Sequence, residues 1–364
     1  MKVYVMGKVR GSYRTSETLK VLLEIPAVEL KFSGFEFNKK NYVISKICYI
    51  LSELENLISI IQADTIIIPA MQHDTALLKV VKLFGKRLIV DYYISYYDTL
   101  VKDRCEIAEG SYKARKLYNR DRYALLHADK CLFLNQAERD YYCKVVNVDK
   151  KYVHSEIMPL AITQKPFAKL EYFHGNRDTM NLCWTGSYVP LQGLDRIISA
   201  MQYVKNNQLN CKLYVWGDSD DKAAPYKKMV EELDLEEFVV FHNEWGNMKA
   251  WTDFIVENCD VTLGIFGTSD KAKTVCANKV VDGVAFKTPV LTAFSAGAEE
   301  FFDGKDHVFF TTNEPYEIYC QMAEIYKTPL SVIEKVVNNS YDVYNQNFTE
   351  SVLKKNMINV LHMK

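Results

Sequence analysis

The chain has 364 residues, 48% of them hydrophobic and 25% charged, with a formal net charge of −1. That length exceeds one ordinary core and fits two α/β domains; the composition is that of a folded soluble protein, and the balanced charge carries no global sign of nucleic-acid binding. Charge is uneven along the chain, about +7 over the first ~165 residues and about −8 over the remainder. This reads either as ordinary variation between domains or as an N-terminal half that faces an acidic partner or membrane surface. The 9 cysteines include no C-x-x-C pair, which predicts reduced thiols in a cytoplasm rather than a disulfide framework. The start, MKVYVMGKVRG, reads as a strand and a turn without a leader-like apolar region, and no apolar run of about 18 residues occurs.

In chain order, Val3 to Met6 is the first predicted strand, followed by a turn with Gly7, Arg10 and Gly11 and a helix beginning at Thr18. The three-glycine dinucleotide spacing is absent, so this is a βα turn whose tip can touch a substrate. Glu29 to Phe32 is a second strand and Tyr42 to Ile61 a long apolar-periodic helix. Thr65 to Ile68 is a buried strand that stops at Pro69, Thr75 to Phe84 a helix, and Arg87 to Val90 a further buried strand. That strand delivers Asp91, Tyr92, Tyr93, Ser95, Tyr96, Tyr97 and Asp98 just past its C-terminal end, where a substrate pocket belongs in an α/β sheet. The alternative is a capping Asp91 with packing tyrosines. Tyr112 to Ala128 is a helix carrying Lys113, Arg115, Lys116, Arg120 and Arg122, either a solvated face or a patch drawn to anionic lipid. A strand from Cys131, a helix from Ala137 and a strand from Tyr152 complete the first sheet, and Ile162 to Ala168 reads as a linker.

Asn181 to Trp184 restarts the strand–helix alternation, with a glycine loop Thr185 to Gly193 and a helix Leu194 to Val204. Lys212 to Trp216 and Val239 to Phe241 are strands, and helices are predicted at Tyr226 to Leu233 and Met248 to Asn258. Val261 to Phe266 is a strand, Gly267 to Asp270 a loop ending in good N-cap residues, and Thr274 to Phe286 a helix broken at Pro289. A polar loop between a strand's C-terminal end and a helix N-terminus favours an anionic ligand, and Lys271, Lys273 and Lys279 add positive charge there. Phe309 to Thr311 is a late strand, Tyr316 to Ile325 a helix, and the last ~25 residues are helical.

Three loops in the second half each follow a strand: Gly186-Ser187, Gly217-Asp218 and Gly267-Thr268-Ser269. With them, the phrases WTGSYVPLQGLDRIISA, LYVWGDS and LGIFGTSDKAK…NKVVDGVAFKTPVLT resemble the donor domain of GT-B-type glycosyltransferases, glycosyltransferase family 4. LIVDYYISYYDTLVKDR, in the first half, resembles a bacterial polysaccharide and glycolipid branch of that family. The resemblance implies an α/β fold of two Rossmann-like doubly wound domains facing a cleft: residues 1–164 for the acceptor, 165–340 for a nucleotide sugar, and a helical segment 341–364 packing back on the first domain. It implies a retaining, metal-independent transfer of a sugar from a nucleotide-diphosphate sugar to a saccharide or lipid-linked saccharide, with no cofactor and no nucleic acid. The expected place is the cytoplasm, with peripheral contact of the N-terminal domain at the inner face of an anionic membrane as an open alternative. The two competing readings are a nucleotide-sugar epimerase and a non-catalytic nucleotide-sugar-binding member.

Carried over by position, Gly186 and Ser187 approach the donor diphosphate, and Gly217 and Asp218 form the next loop. Trp245 is a candidate wall for the base. Gly267, Thr268, Ser269, Lys271, Lys273, Asn278 and Lys279 surround the diphosphate and sugar, and Asp282 takes the place of the Glu that binds the ribose hydroxyls. Two positions depart from the family: Thr274 stands where E-x7-E has its first Glu, and Ser187 and Gln192 stand where an Arg and a Lys neutralise the diphosphate. A diphosphate needs cations in a low-dielectric site, so Lys271, Lys273 and Lys279 are expected to supply them, with Arg10 or Arg14 from the other domain. Asp91 or Asp98 is expected to orient the acceptor hydroxyl, with His73 as the alternative, and Arg10, Gly11, Tyr93 and Ser95 to bind the acceptor. Asp218-Ser219-Asp220 has the letters of a metal-binding D-x-D motif in a surface turn, and no bound metal is expected.

Overall fold

A computed structural model describes residues 1–7, 12–33, 42–162, 178–243 and 248–362, with side chains at all of these except 42–51 and 248. The chain divides into two compact units, Met1–Ala161 with Glu350–Lys364, and Ile162–Thr349.

The first unit is built on six parallel strands: β1 (Lys2–Val5), β2 (Glu29–Phe32), β3 (Thr65–Ile68), β4 (Arg87–Asp91), β5 (Lys130–Phe133) and β6 (Ser155–Ile157), in the order β2-β1-β3-β4-β5-β6. Both faces of the sheet are covered, so the strands are apolar at consecutive positions and their neighbours divide by parity. Tyr4, Ile66, Ile68, Leu88, Val90, Cys131 and Phe133 pack with Ile60, Leu78, Val81, Leu125 and Tyr142 from four helices. Val3, Val5, Ile67, Ile89 and Leu132 point the other way, onto Val21 and Leu22 of the helix Tyr13–Leu23 and onto Leu353, Met357 and Val360 of the helix Glu350–Val360. Salt bridges Lys20–Glu350 and Lys354–Glu24 flank that helix pair.

The second unit repeats the plan with β7 (Met180–Gly186), β8 (Cys211–Gly217), β9 (Val239–His242), β10 (Val261–Leu263), β11 (Val290–Ala293) and β12 (Phe309–Thr311), all parallel, in the order β12-β11-β10-β7-β8-β9. From β7 the chain moves outward through β8 and β9, then returns to place β10 on the other side. The loops after β7 and β10 therefore diverge, which is where open α/β sheets bind ligands. Two Rossmann-like units are thus present, as the strand–helix alternation predicts.

Some elements differ from the sequence reading. The helix expected from Thr274 begins at Asn278 and ends at Ala285. The Lys273 carbonyl accepts from the Ala296 N–H and the Val275 carbonyl from Ser295 Oγ, so acceptors that an earlier helix would use are engaged elsewhere. Ala277, not Ser269 or Asp270, stands at the N-cap, and its side chain caps nothing. Lys150–Tyr152 forms a 3-10 turn capped by Asp149, which delays β6 to Ser155. Asp98–Asp103 is one turn of π-helix, and Ala296–Glu299 a short helix that the sequence did not signal. Residues 163–168 of the expected linker lie outside the described residues.

Burying a Met or Leu side chain stabilises by about 1.5–3 kcal/mol, a large share of a net stability of about 5–15 kcal/mol. Met357, fully buried against the first sheet, is expected on replacement by Ala to lower stability by about 2–5 kcal/mol in urea unfolding. A loss under 0.5 kcal/mol would mean that the C-terminal helix is dispensable to this core.

Candidate functional site

The second unit brings its loops together at the C-terminal ends of β7 and β10. Gly193, at φ +63, lies so close to the β10 loop that a Cβ would stand 2.3 Å from the Phe266 carbonyl carbon. The Phe266 N–H donates to the Gln192 carbonyl at 3.2 Å. Gln192 folds over the preceding turn, where its Oε1 accepts from the Ser187 N–H at 3.1 Å. Tyr188 adopts a left-handed conformation and its ring fills the space over Gly217; its hydroxyl donates to Asn243 Oδ1. Burial pushes that phenol well above its usual range. The glycine loops predicted to approach a ligand are thus brought together and braced from within.

Lys279 is the unusual group. It opens the helix Asn278–Ala285, is 8% exposed, and its Nζ is buried without a hydrogen-bond partner. The amine sits 4.2 Å from the centroid of the Trp184 ring, whose outer edge reaches Gly186: a Cβ there would lie 2.6 Å from it. Burial pushes Lys279 down to about 7, although Cys183 and Asp282 act to raise it. Asp282 lies one turn along and is half-buried. A buried amine over an indole, at a helix N-terminus without a side-chain cap, is poised for an anion.

The other lysines differ. Lys271 is buried on the loop, whereas Lys273 is exposed and paired with Asp270 at 3.0 Å. Thr268 and Asn278 are exposed, Gly267 is buried against Leu191, and Ser269 Oγ accepts from the Ala272 N–H. Thr274 Oγ1 donates to the Lys271 carbonyl at 3.0 Å. Asp218 is paired with Lys222; Lys227 and Asn243 hold Asp220, whose pKa is lowered, chiefly by the Lys227 hydrogen bond. Among the described residues no group of three His, Cys, Asp or Glu side chains is placed to hold a metal. Trp245 lies outside the described residues. Sequence reasoning passed over Trp184; the signal was an aromatic two residues before the loop glycine.

In the first unit the predicted catalytic carboxylates are interior groups. Asp91 is 5% exposed and accepts from Arg14 Nε at 2.8 Å, while Arg14 Nη1 donates to the Met158 carbonyl at 2.9 Å. Burial opposes the Arg14 charge and Asp91 outweighs it, so the guanidinium is held more firmly protonated than usual. Arg14 Nε and Nη1 are thus engaged within this unit, while Nη2 is buried without a hydrogen-bond partner. Asp98 is buried and accepts from the Tyr141 hydroxyl at 2.5 Å. His73 and Ser95, both fully buried, converge on Asp121: His73 Nε2 lies 2.7 Å from Oδ1, and Ser95 Oγ donates to Oδ2 at 2.5 Å. The Tyr97 N–H completes the set at 2.8 Å. These contacts hold Asp91, Asp98, His73 and Ser95 in place as buried groups of the first unit. Tyr93, half-buried beneath Arg14, is the most accessible of this group. Arg10 and Gly11 lie outside the described residues. On the basic helix Tyr112–His127, Arg120 is paired with Asp74 and Arg122 donates to the Val146 carbonyl, leaving Lys113, Arg115 and Lys116 exposed.

No protein-family model matches the chain, and no curated protein matches it in sequence. Solved structures do match in fold over the whole length. HepE from Anabaena, in complex with UDP and glucose, has a TM-score of 0.68 at 13% identity, over 100% of this chain and 99% of its own. Sucrose-phosphate synthase from Thermosynechococcus elongatus has a TM-score of 0.73 at 10% identity, over 100% and 98%. A glycosyltransferase from Rickettsia africae has a TM-score of 0.70 at 11% identity, over 99% and 97%. The chain shares their two-domain α/β fold.

The Arg14–Asp91 geometry yields a test of role. Asp91→Ala leaves a buried guanidinium uncompensated and is expected to cost about 3–5 kcal/mol in urea unfolding. A variant of wild-type stability would return Asp91 to the chemistry.

Proposed function

We propose that the protein is a glycosyltransferase whose second unit binds a nucleotide-diphosphate sugar and whose first unit binds a saccharide or glycolipid acceptor. The observation that carries this reading is the unpartnered Lys279 amine beside the uncapped N-terminus of Asn278–Ala285, at the divergence of β7 and β10. The full-length fold likeness to glycosyltransferases, HepE with UDP and glucose among them, supports it.

In this reading Asp282 accepts from the ribose hydroxyls. The diphosphate lies along Gly186–Ser187 and the loop from Gly267, toward Lys279 and Lys271. Cleavage of the anomeric C–O bond leaves negative charge on the diphosphate, and electrostatic stabilisation of that charge is the main catalytic demand. Helix amides and a dry ammonium meet it strongly because little water screens them. Ser187 and Gln192 supply neutral contacts where the resembling family has cations, and Thr274 offers a hydroxyl where it has a carboxylate. We assign retention of anomeric configuration and independence of metal on the same resemblance.

Thermal shift against a nucleotide-sugar panel should find a stabilising ligand, since binding only to the folded state raises stability by mass action. Asp282→Ala should weaken that ligand by about 10- to 150-fold, the loss of hydrogen bonds to a charged group at about 1.5–3 kcal/mol; unchanged affinity would sink the ribose assignment. Sugar appearing on an acceptor distinguishes transfer from epimerisation, which proceeds with the nucleotide sugar alone. Contact with an anionic membrane is assigned to Lys113, Arg115 and Lys116, at about 1 kcal/mol each near the surface. Co-sedimentation with phosphatidylglycerol vesicles at low salt, lost when all three become Ala, is expected; no sedimentation of the wild type rejects it.

A further inference from the structure

The donor reading leaves open the charge of Lys279 before a ligand arrives. The amine has no hydrogen-bond partner, and the Trp184 face against it is a weaker partner than a carboxylate. The ionisable groups acting on it are Cys183 of β7 and Asp282 of its own helix. The strands β10 and β11, which adjoin that helix, carry no ionisable side chain. The helix Leu330–Asn347 also packs on it, but presents Tyr341 to Lys287, past the helix's C-terminal end. Lys271, buried on the preceding loop, is a second cation in the same region.

We propose that Lys279 is a neutral amine while the second unit is empty and takes one proton from solvent when a phosphate anion enters, so that the site selects ligands by their charge. The inference rests on the donor reading. The step is a protonation: the amine lone pair takes H⁺ from buffer to give the ammonium, and no other bond forms or breaks. Burial disfavours an unpaired ammonium and an adjacent phosphate restores it. This explains how the unit can dispense with the exposed basic pair: the cation forms only when it has a partner. It also separates ligands, because an uncharged nucleoside brings nothing to hold the proton.

The sign follows from linkage. The pKa of the empty site is near 7 and binding raises it, so affinity is full below pH 7 and falls as pH rises above it. At pH 8 a large part of one proton should be taken up per ligand, with affinity falling as the pH rises further.

Two measurements test it. The first needs no ligand: in protein labelled with ¹³C-lysine, the Lys279 Cε resonance, assigned by its absence from Lys279→Met, should titrate with a midpoint near 7. A midpoint above about 9.5, the range of ordinary lysines, overturns the proposal. The second is calorimetry with UDP-glucose, GDP-mannose and ADP-glucose at pH 8, in Tris and in HEPES. Their diphosphate charge is constant there, so a buffer-dependent enthalpy reports proton uptake. Lys279→Arg, charged at every pH, should bind without uptake, and Lys279→Met should bind more than tenfold more weakly. Binding with a buffer-independent enthalpy overturns the proton uptake and leaves the donor reading standing. No binding of any of the three at any pH, with a Cε midpoint near 7, overturns both.

Discussion

The second unit depends on a contact between two backbones. Gly193 rests against the Phe266–Gly267 peptide with no room for a side chain, in a conformation that L-residues rarely adopt. That approach ties the loop after β7 to the loop after β10 at the point where the chain changes direction across the sheet. Everything proposed for the ligand is referred to this junction: the Ser187 amide held by Gln192, the Trp184 ring under Gly186, and the Lys279 amine over that ring. A wider junction would admit water around the amine and remove the burial that makes it unusual.

Charge is handled differently in the two units. In the first, Arg14 is paired with Asp91 and His73 contacts Asp121, and each pair spans distant segments of chain. Such pairs fix geometry and have little left to offer a ligand. In the second unit the buried Lys279 amine stands without a hydrogen bond. An unsatisfied polar group is costly in a dry interior, so a chain that keeps one has a use for it or stores strain.

Much of the fold was legible in the sequence because strands buried on both faces read as unbroken apolar runs, as in TIII of β3 and RLIVD of β4. Glycines after strands marked the loops of the second unit, and the structure adds close approaches at Gly193 and Gly217 that leave no room for a side chain. The local start of the helix near Thr274 was not legible, since it is set by Ser295 and Ala296, some twenty residues on, which take carbonyls that periodicity alone would assign to the helix. Nor could sequence show whether Asp91 and His73 sit buried among partners or stand open to a ligand. Their partners, Arg14 and Asp121, come from remote segments, and a carboxylate past a strand looks the same in either role. Lys279 was legible only as one of three charges; its singularity comes from its burial against Trp184 of β7, nearly a hundred residues earlier in the chain.

The helix Glu350–Val360 completes the core of a unit whose other elements all lie before Ile162. During synthesis the first sheet therefore emerges with the face of Val21, Leu22, Ile89 and Leu132 still lacking its last cover. The second unit must be made in between, roughly 10–40 s at about 5–20 residues per second. Until that helix is made, the apolar surface it covers stays open. The order of translation thus leaves the N-terminal core part-exposed, and open to non-native association, for as long as the second unit takes to make.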